Sequence, residues 1–181
     1  LQEKIPNIEY LDLSLNECIR ELPKIISIPD SLTNLFLSQI HWSPSNFSNV
    51  LKSCCCTRNP ISLSLADAIF SSRRDSFRQF YESFQDILNV ENPNLYALYW
   101  NHNHIRSVFL QFLLKCNNLK FISFSGCKIK HHVVRMLQKF VETHNSLHTF
   151  DLHGSIRVTF TDMLPKLFLW LKKSRNIKRI D

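Results

Sequence analysis

Apolar residues return along the chain in a fixed L-x-x-L-x-L spacing. The last two apolar positions of each unit are two residues apart, so both point to the same face of an extended strand. Successive units begin 24, 28, 35, 24, 28 and 30 residues apart, which is the range of leucine-rich repeats. The pattern predicts one short strand per unit, with apolar positions at Ile8, Leu11 and Leu13; Leu32, Leu35 and Leu37; Pro60, Leu63 and Leu65; Leu95, Leu98 and Trp100; Leu119, Ile122 and Phe124; Leu147, Phe150 and Leu152; and Ile177 and Ile180.

Each predicted strand is followed by a segment with the apolar period of a helix. These segments are 19–28, 47–54, 74–90, 106–116, 131–143 and 161–173. The third carries one apolar stripe, which indicates core packing rather than a cofactor site. The stripe consists of Phe77, Phe80, Tyr81, Phe84, Ile87 and Leu88.

Strands alternating with such helices predict an α/β leucine-rich repeat solenoid, a ribonuclease-inhibitor-like horseshoe. Its parallel sheet would line the concave face, and its helices would cover the convex face. We expect residues 1–181 to form a single domain of about six repeats and a partial seventh. Because a solenoid needs polar caps and neither end shows one, we expect it to be a fragment of a longer array.

A polar slot lies three residues after the last apolar position of each unit. A buried side-chain amide there can satisfy backbone groups left unpaired where the chain turns out of the strand. Cys does this less well, and Ile or Ala cannot do it. Asn16, Asn103 and Cys127 fit the slot, and we expect degenerate turns at Ile40, Ala68 and Ser155.

Residues that alternate with the core positions are predicted to face the concavity, where repeat proteins bind their partners. They form a central row of Asp12, Phe36, Ser64, Tyr99, Ser123, Asp151 and Asp181, flanked by a row of Tyr10, Asn34, Ser62, Ala97, Phe121, Thr149 and Arg179 and a row of Ser14, Ser38, Ala66, Asn101, Ser125 and His153. Aromatic residues are typical anchors of protein interfaces. The candidate partner-binding residues are therefore Tyr10, Asp12, Phe36, Tyr99, Asn101, Phe121 and Asp151; the alternative is that the aromatics only shield the sheet.

Composition narrows the chemistry. The chain has only 2 Gly, so Gly-rich phosphate-binding loops cannot be built. No apolar run reaches the roughly 18 residues of a membrane-spanning helix. The 6 Cys include three in a row at 54–56, which fits neither a disulfide framework nor zinc-ligand spacing. We expect buried helix-end thiols, a cytoplasmic setting, and neither metal nor cofactor.

The net charge of +7 belongs to the last third of the chain. A nucleic-acid groove would place such charge beside aromatic rings, whereas here it falls on predicted helices and loops. This argues against nucleic acid and leaves an anionic membrane surface, an acidic protein or a plain solvated face. The basic surface consists of Lys128, Lys130, Arg135, Lys139, Lys172, Lys173 and Arg175.

No catalytic constellation stands out. Asp12 and Asp151 share a row, but at ~5 Å per strand they are too far apart to act as a carboxylate pair. His102 and His104 flank Asn103 on a turn, and we expect both to face solvent. We therefore expect a protein that is not an enzyme.

Three stretches carry a family resemblance: FSSRRDSFRQFYESF at 70–84, NLKFISFSGCKI at 118–129 and TDMLPKLFLWLKKSRNIKRI at 161–180. They resemble the leucine-rich repeat region of the CARMIL family, cytoplasmic scaffolds that regulate actin-filament capping protein and bind class I myosins. The resemblance implies a protein-binding scaffold in the regulation of actin capping and assembly, with a cytoskeletal partner. Other leucine-rich repeat roles, in membrane docking or in regulating a small GTPase or a ligase, are the alternatives.

Overall fold

The fold is described from a computed structural model. The residues that the structure describes are 7–16, 28–40, 42–68, 82, 85–155, 163–174 and 176–181. Among these residues, no helix has the length and apolarity to cross a lipid bilayer.

The chain forms an α/β structure built on a seven-stranded sheet. Each strand pairs in parallel with the next strand along the chain, in the order β1-β2-β3-β4-β5-β6-β7. Parallel neighbours need a crossover that returns the chain to the same end of the sheet. All seven predicted strands are confirmed, as β1 (Tyr10–Asp12), β2 (Asn34–Phe36), β3 (Ile61–Ser64), β4 (Leu95–Tyr99), β5 (Phe121–Ser123), β6 (Thr149–Asp151) and β7 (Arg179–Ile180).

Four helices have both ends within the described residues, and their bounds are within a few residues of the predicted ones; residues 85–87 are also helical. They are α1 (Pro44–Cys55), α2 (Ser107–Leu113), α3 (Val134–Thr143), which follows a 3-10 turn at His131–Val133, and α4 (Met163–Lys173). The Ser43 side chain caps α1 by accepting a hydrogen bond from Asn46 N, and Pro44 occupies the first turn, where no amide donor is needed.

Two predicted helical segments lie mostly outside the described residues. They are 19–28 and 74–90, including Phe77, Phe80, Tyr81 and Phe84 of the predicted stripe. Its last two members are described: Ile87 is fully buried, and Leu88 is half-buried against the core.

The core lies between one face of the sheet and the helices. The predicted apolar positions of the central strands are buried, and aromatic rings join the strands to α2. Trp100 stacks on Phe109 with ring centroids 4.3 Å apart, and Phe124 meets Phe150 edge-on at 5.8 Å. Such pairs add stabilisation beyond the area they bury.

The third predicted unit begins one residue later than expected. Pro60 is exposed, whereas Ile61 is fully buried, donates its N–H to Asn94 O and pairs with Leu95. The pairing then slips, because Ser62 opposes Ala97 and leaves Tyr96 as an extra residue in β4. A bulge of this kind leaves one residue without a ladder partner.

The same turn follows each of the first six strands. Two residues after the last core position of each strand, the backbone enters the left-handed region, with φ between 50° and 66°. The backbone of residues other than glycine is strained in that region. The residues are Leu15, Gln39, Asp67, His102, Gly126 and Gly154, so both glycines of the chain serve this turn.

Candidate functional site

One face of the sheet carries the three predicted rows, here called the exposed sheet face. Strand pairing aligns the central and first flanking rows residue by residue. Residues of the second flanking row lie in the turns after the strands. Backbone hydrogen bonds join each turn to the next one, as from Leu15 N to Ser38 O and from His102 N to Ser125 O. The predicted alignment of the rows is therefore confirmed, except at Asp181, which follows the end of β7.

Two aromatic pairs stand on this face. Tyr10 and Phe36 have ring centroids 5.0 Å apart, and Tyr99 and Phe121 have theirs 4.7 Å apart, with tilted planes in both pairs. Tyr10 is 58% exposed, and the other three rings are half-buried. Because the rings rest against each other, their accessible surface is held in place without a partner.

The strand between the two pairs contributes only small side chains to the face. Ser62 and Ser64 come from β3, and the Ser64 hydroxyl lies 2.8 Å from the Ser38 hydroxyl. Ala97 on β4 is also small and is buried. Ser64 is also buried, so the accessible surface of this part of the face belongs mainly to the aromatic rings on either side.

A polar cluster follows the second aromatic pair. Ser123 Oγ lies 2.6 Å from Asn101 Oδ1 and 2.5 Å from Asp151 Oδ2. Asn101 Oδ1 also accepts from Ser125 N, and Asp151 Oδ1 accepts from His153 N. One hydroxyl proton can serve only one of two acceptors, so the cluster retains capacity for a donor from outside.

At the far edge of the face, Asp12 Oδ1 accepts from Ser14 N at 2.9 Å. The backbone hydrogen bond from Ser14 lowers the pKa of the Asp12 carboxyl, because it stabilises the ionised form. Asp12 lies on β1 and Asp151 on β6, so the predicted separation of these two carboxylates is confirmed.

The predicted basic surface lies away from the exposed sheet face. Its residues lie on the segment after β5, on α3 and at the end of α4. Those that the structure describes are all exposed: Lys128, Lys130, Arg135, Lys139, Lys172 and Lys173. Lys173 Nζ lies 3.8 Å from a Glu142 carboxylate oxygen. Arg175 lies outside the described residues.

The structure brings together a second basic group that the sequence pattern did not single out. Lys120, His148 and Lys178 immediately precede β5, β6 and β7, and successive backbone hydrogen bonds of 2.8 Å join them to each other and to Tyr96 on β4. We call these four residues the N-terminal row. The sequence does contain a pattern that could have identified this group, because each of the three basic residues directly follows the first apolar position of its unit.

The stretch at 102–104 is structural. Asn103 is buried, and its Nδ2 donates to Leu65 O at 2.7 Å and to Trp100 O at 3.2 Å. His102 is exposed as expected, but His104 is half-buried. The expectation that both histidines face solvent was therefore wrong for His104. Desolvation, with Lys128, Arg106 and Lys130 nearby, lowers the pKa of His104.

Other polar slots differ from expectation. Ser155 Oγ donates to Phe124 O and accepts from Cys127 N, and Cys127 Sγ contacts Trp100 O at 3.1 Å. Ser155 therefore serves the slot that was expected to be degenerate, because a hydroxyl can donate and accept at once. Asn16, which was expected to fit the slot, is exposed.

The thiols near the helix ends are mostly sequestered. Cys54, Cys55, Cys116 and Cys127 are buried, but Cys56 is exposed, contrary to expectation, because it follows the last residue of α1. Burial raises the pKa of the Cys54 and Cys127 thiols to about 12, so both are uncharged near neutral pH. Across the described part of the chain, no group of three His, Cys, Asp or Glu residues is arranged to hold a metal ion.

The geometry thus defines the class as an α/β protein with a seven-stranded parallel sheet and one polar-aromatic face. No protein-family model matches the chain, and no curated protein has a matching sequence.

Proposed function

We propose that the chain belongs to a leucine-rich repeat solenoid, a ribonuclease-inhibitor-like horseshoe, and acts as a non-enzymatic scaffold that binds a protein partner. The binding surface is the exposed sheet face. The observation that carries the proposal is the alignment of paired aromatic rings and a polar cluster across consecutive parallel strands.

The repeat assignment is supported by the strand order and by the turns. Each strand adds next to its predecessor, the same left-handed turn follows six strands, and Asn103 reaches back to the carbonyl of Leu65. In a stacked solenoid each unit contacts its neighbours in this way.

The binding assignment is supported by the open face itself. Parallel sheets are usually covered on both faces, whereas the aromatic and charged residues of this face retain exposure, with Tyr10 at 58%. Tyr and Phe anchors are rigid, and truncating a central anchor typically costs about 2 kcal/mol or more of binding free energy. That corresponds to roughly a thirtyfold loss in affinity.

The partner proposed for this face is a cytoskeletal protein, and the setting is cytoplasmic. This part of the proposal is supported by the resemblance of 70–84, 118–129 and 161–180 to the CARMIL repeats. It would make the chain part of a regulator of actin-filament capping and assembly.

The test is partner capture by the purified chain and by its Tyr99→Glu and Phe36→Glu variants. Captured proteins are identified by mass spectrometry, and binding is then measured with the purified partner. A partner that contacts both aromatic pairs should be lost from both variants, because a carboxylate in place of a half-buried ring is desolvated on binding.

A Lys139→Glu variant, altered on the outer side of α3, is the matched control and should bind as the wild type does. Circular dichroism and urea unfolding establish that the variants are folded. Unchanged binding by both ring variants would rule out the exposed sheet face as the site.

A second candidate is docking to an anionic membrane through the basic surface. It is favoured by the exposure of Lys172 and Lys173 at the end of α4. Co-sedimentation with phosphatidylserine vesicles should then be salt-sensitive and should fail when Lys172, Lys173 and Arg175 are neutralised. Absence of sedimentation at low salt would remove this candidate.

A further inference from the structure

We propose that the N-terminal row, together with the Tyr99–Phe121 pair, binds an acidic extended segment of a partner protein that also carries aromatic side chains. This inference rests on the proposed function and specifies the chemistry of the partner. The row consists of Tyr96, Lys120, His148 and Lys178.

The row is a continuous line of neighbours rather than a set of scattered charges. Lys120 N donates to Tyr96 O, His148 N donates to Lys120 O, and Lys178 N donates to His148 O, each at 2.8 Å. Adjacent strands are ~4.8 Å apart. The backbones of Lys120 and Lys178, two strands apart, are therefore roughly 10 Å apart across the sheet. An extended segment repeats its side chains on one face about every 7 Å, so two acidic side chains of one segment can reach both lysines.

No carboxylate of the described residues neutralises the positive charge of the row. Among the described residues, no carboxylate forms an ion pair with Lys120 or Lys178, whereas the neighbouring Arg179 is paired with Asp181 at 2.9 Å. Desolvation, followed by the charges of Lys120 and Lys178, lowers the pKa of His148. The two lysines thus make their surroundings unfavourable for a further positive charge, and the same field attracts an anion.

Aromatic residues adjoin the basic residues of the row in the chain and on the neighbouring strand. Tyr96 is the bulged residue of β4 and is 50% exposed, and Phe121 follows Lys120 in the chain and contacts Tyr99. Together they offer ring surface and positive charge over neighbouring strands. An acidic segment with aromatic side chains complements both, since interface affinity comes mainly from rings and steering from charge.

A protein segment suits this edge better than a membrane does. Polybasic segments that bind anionic lipid usually gather about four to eight Lys or Arg. The N-terminal row itself contains two lysines, Lys120 and Lys178, and the neighbouring Arg179 is already paired with Asp181. A partner that adds ring contacts needs fewer charges.

The experiment measures fluorescence anisotropy of a labelled synthetic peptide of about 12 residues, long enough at ~3.3 Å per residue to cross several strands. The peptide contains Glu and Asp with interspersed Phe and Tyr, and its control replaces each Glu by Gln and each Asp by Asn. Both peptides are titrated with the 181-residue chain at about 0.05 M salt, where surface charges are weakly screened.

The acidic peptide should bind, and the amide peptide should bind at least about tenfold more weakly. The double variant Lys120→Glu/Lys178→Glu should lose about tenfold or more in affinity, and Phe121→Ala several-fold. The matched control, Lys130→Glu/Arg135→Glu, changes the net charge equally but lies beyond the C-terminal end of β5 and on α3. It should stay within about twofold of the wild type.

Several results would overturn the inference. They are failure of the acidic peptide to bind, an equal loss in both double variants, binding of phosphatidylserine vesicles in its place, and self-association in sedimentation that the Lys120→Glu/Lys178→Glu change abolishes. One further outcome is a purified partner that fails to bind the Tyr99→Glu variant and yet binds Lys120→Glu/Lys178→Glu as it binds the wild type. That result would support the exposed sheet face as a binding site and would contradict only the acidic-segment inference.

Discussion

Replacing Asn103 should destabilise the fold more than replacing any other residue of the polar slots. The Asn103 amide is 1% exposed and donates to two backbone carbonyls, Leu65 O at 2.7 Å and Trp100 O at 3.2 Å. The bond to Leu65 O joins the turn after β4 to the end of β3, and the bond to Trp100 O closes the turn itself. Their loss leaves buried acceptors where the chain turns away from the sheet.

The magnitude follows from those two bonds. A buried polar group left unsatisfied costs about 1–3 kcal/mol, and one of the two carbonyls, Trp100 O, keeps a contact from Cys127 Sγ. Asn103→Ala should therefore lower the free energy of unfolding by about 2–4 kcal/mol. Asn103→Asp should lower it further, because an isosteric carboxylate faces two carbonyls with no proton to donate.

The assay is urea unfolding followed by tryptophan fluorescence and by circular dichroism, analysed at constant slope. Cys127→Ala is the matched comparison, since it removes one weak S–H contact from an equivalent slot and should cost about 1 kcal/mol or less. The expected order of loss is Asn103→Asp, then Asn103→Ala, then Cys127→Ala. The reasoning is refuted if Asn103→Ala unfolds within about 0.5 kcal/mol of the wild type, or if Asn103→Asp is the milder change.

Two further predictions concern a turn and a histidine. Gly126→Ala and Gly154→Ala both place a side chain at a positive φ, but only the Cβ of Gly126→Ala meets the His102 ring. Gly126→Ala should therefore lower the free energy of unfolding more than Gly154→Ala does. In a His102→Ala background, urea unfolding should show equal losses for the two glycine changes. Burial lowers the pKa of His144 from 6.5, with the carbonyls of Leu113 and Cys116 partly offsetting it. Below about pH 6.5 the unfolded chain therefore binds the proton first, and stability falls as pH drops until the folded pKa is passed. Urea midpoints at about pH 7.5 and 5.5 should converge partly in His144→Gln, and an unaltered difference would exclude His144 as a source.

Several features of the site were out of reach of the apolar pattern. The alternation assigned Tyr99 and Phe121 to one face, but only the structure shows their rings in contact at 4.7 Å. It placed no weight on Lys120 or Lys178, because residues just before a strand fall outside its two-residue alternation. Ser155 was expected to be a poor slot residue, since the sequence does not reveal which carbonyl its hydroxyl meets.

What the sequence determined by itself is the strand at each apolar unit, the buried side of strands β2 to β6, and the alignment of the rows; Ile180 on β7, a predicted core position, is 42% exposed. The reason is that a two-residue period fixes the face, and repeated spacing fixes which residues become neighbours. The tertiary structure alone decided the start of β3 at Ile61, the bulge at Tyr96, and the reach of Asn103 to Leu65 O. These features depend on the position of carbonyl groups and unpaired residues in the neighbouring strand. The apolar period within one strand contains no information about that position.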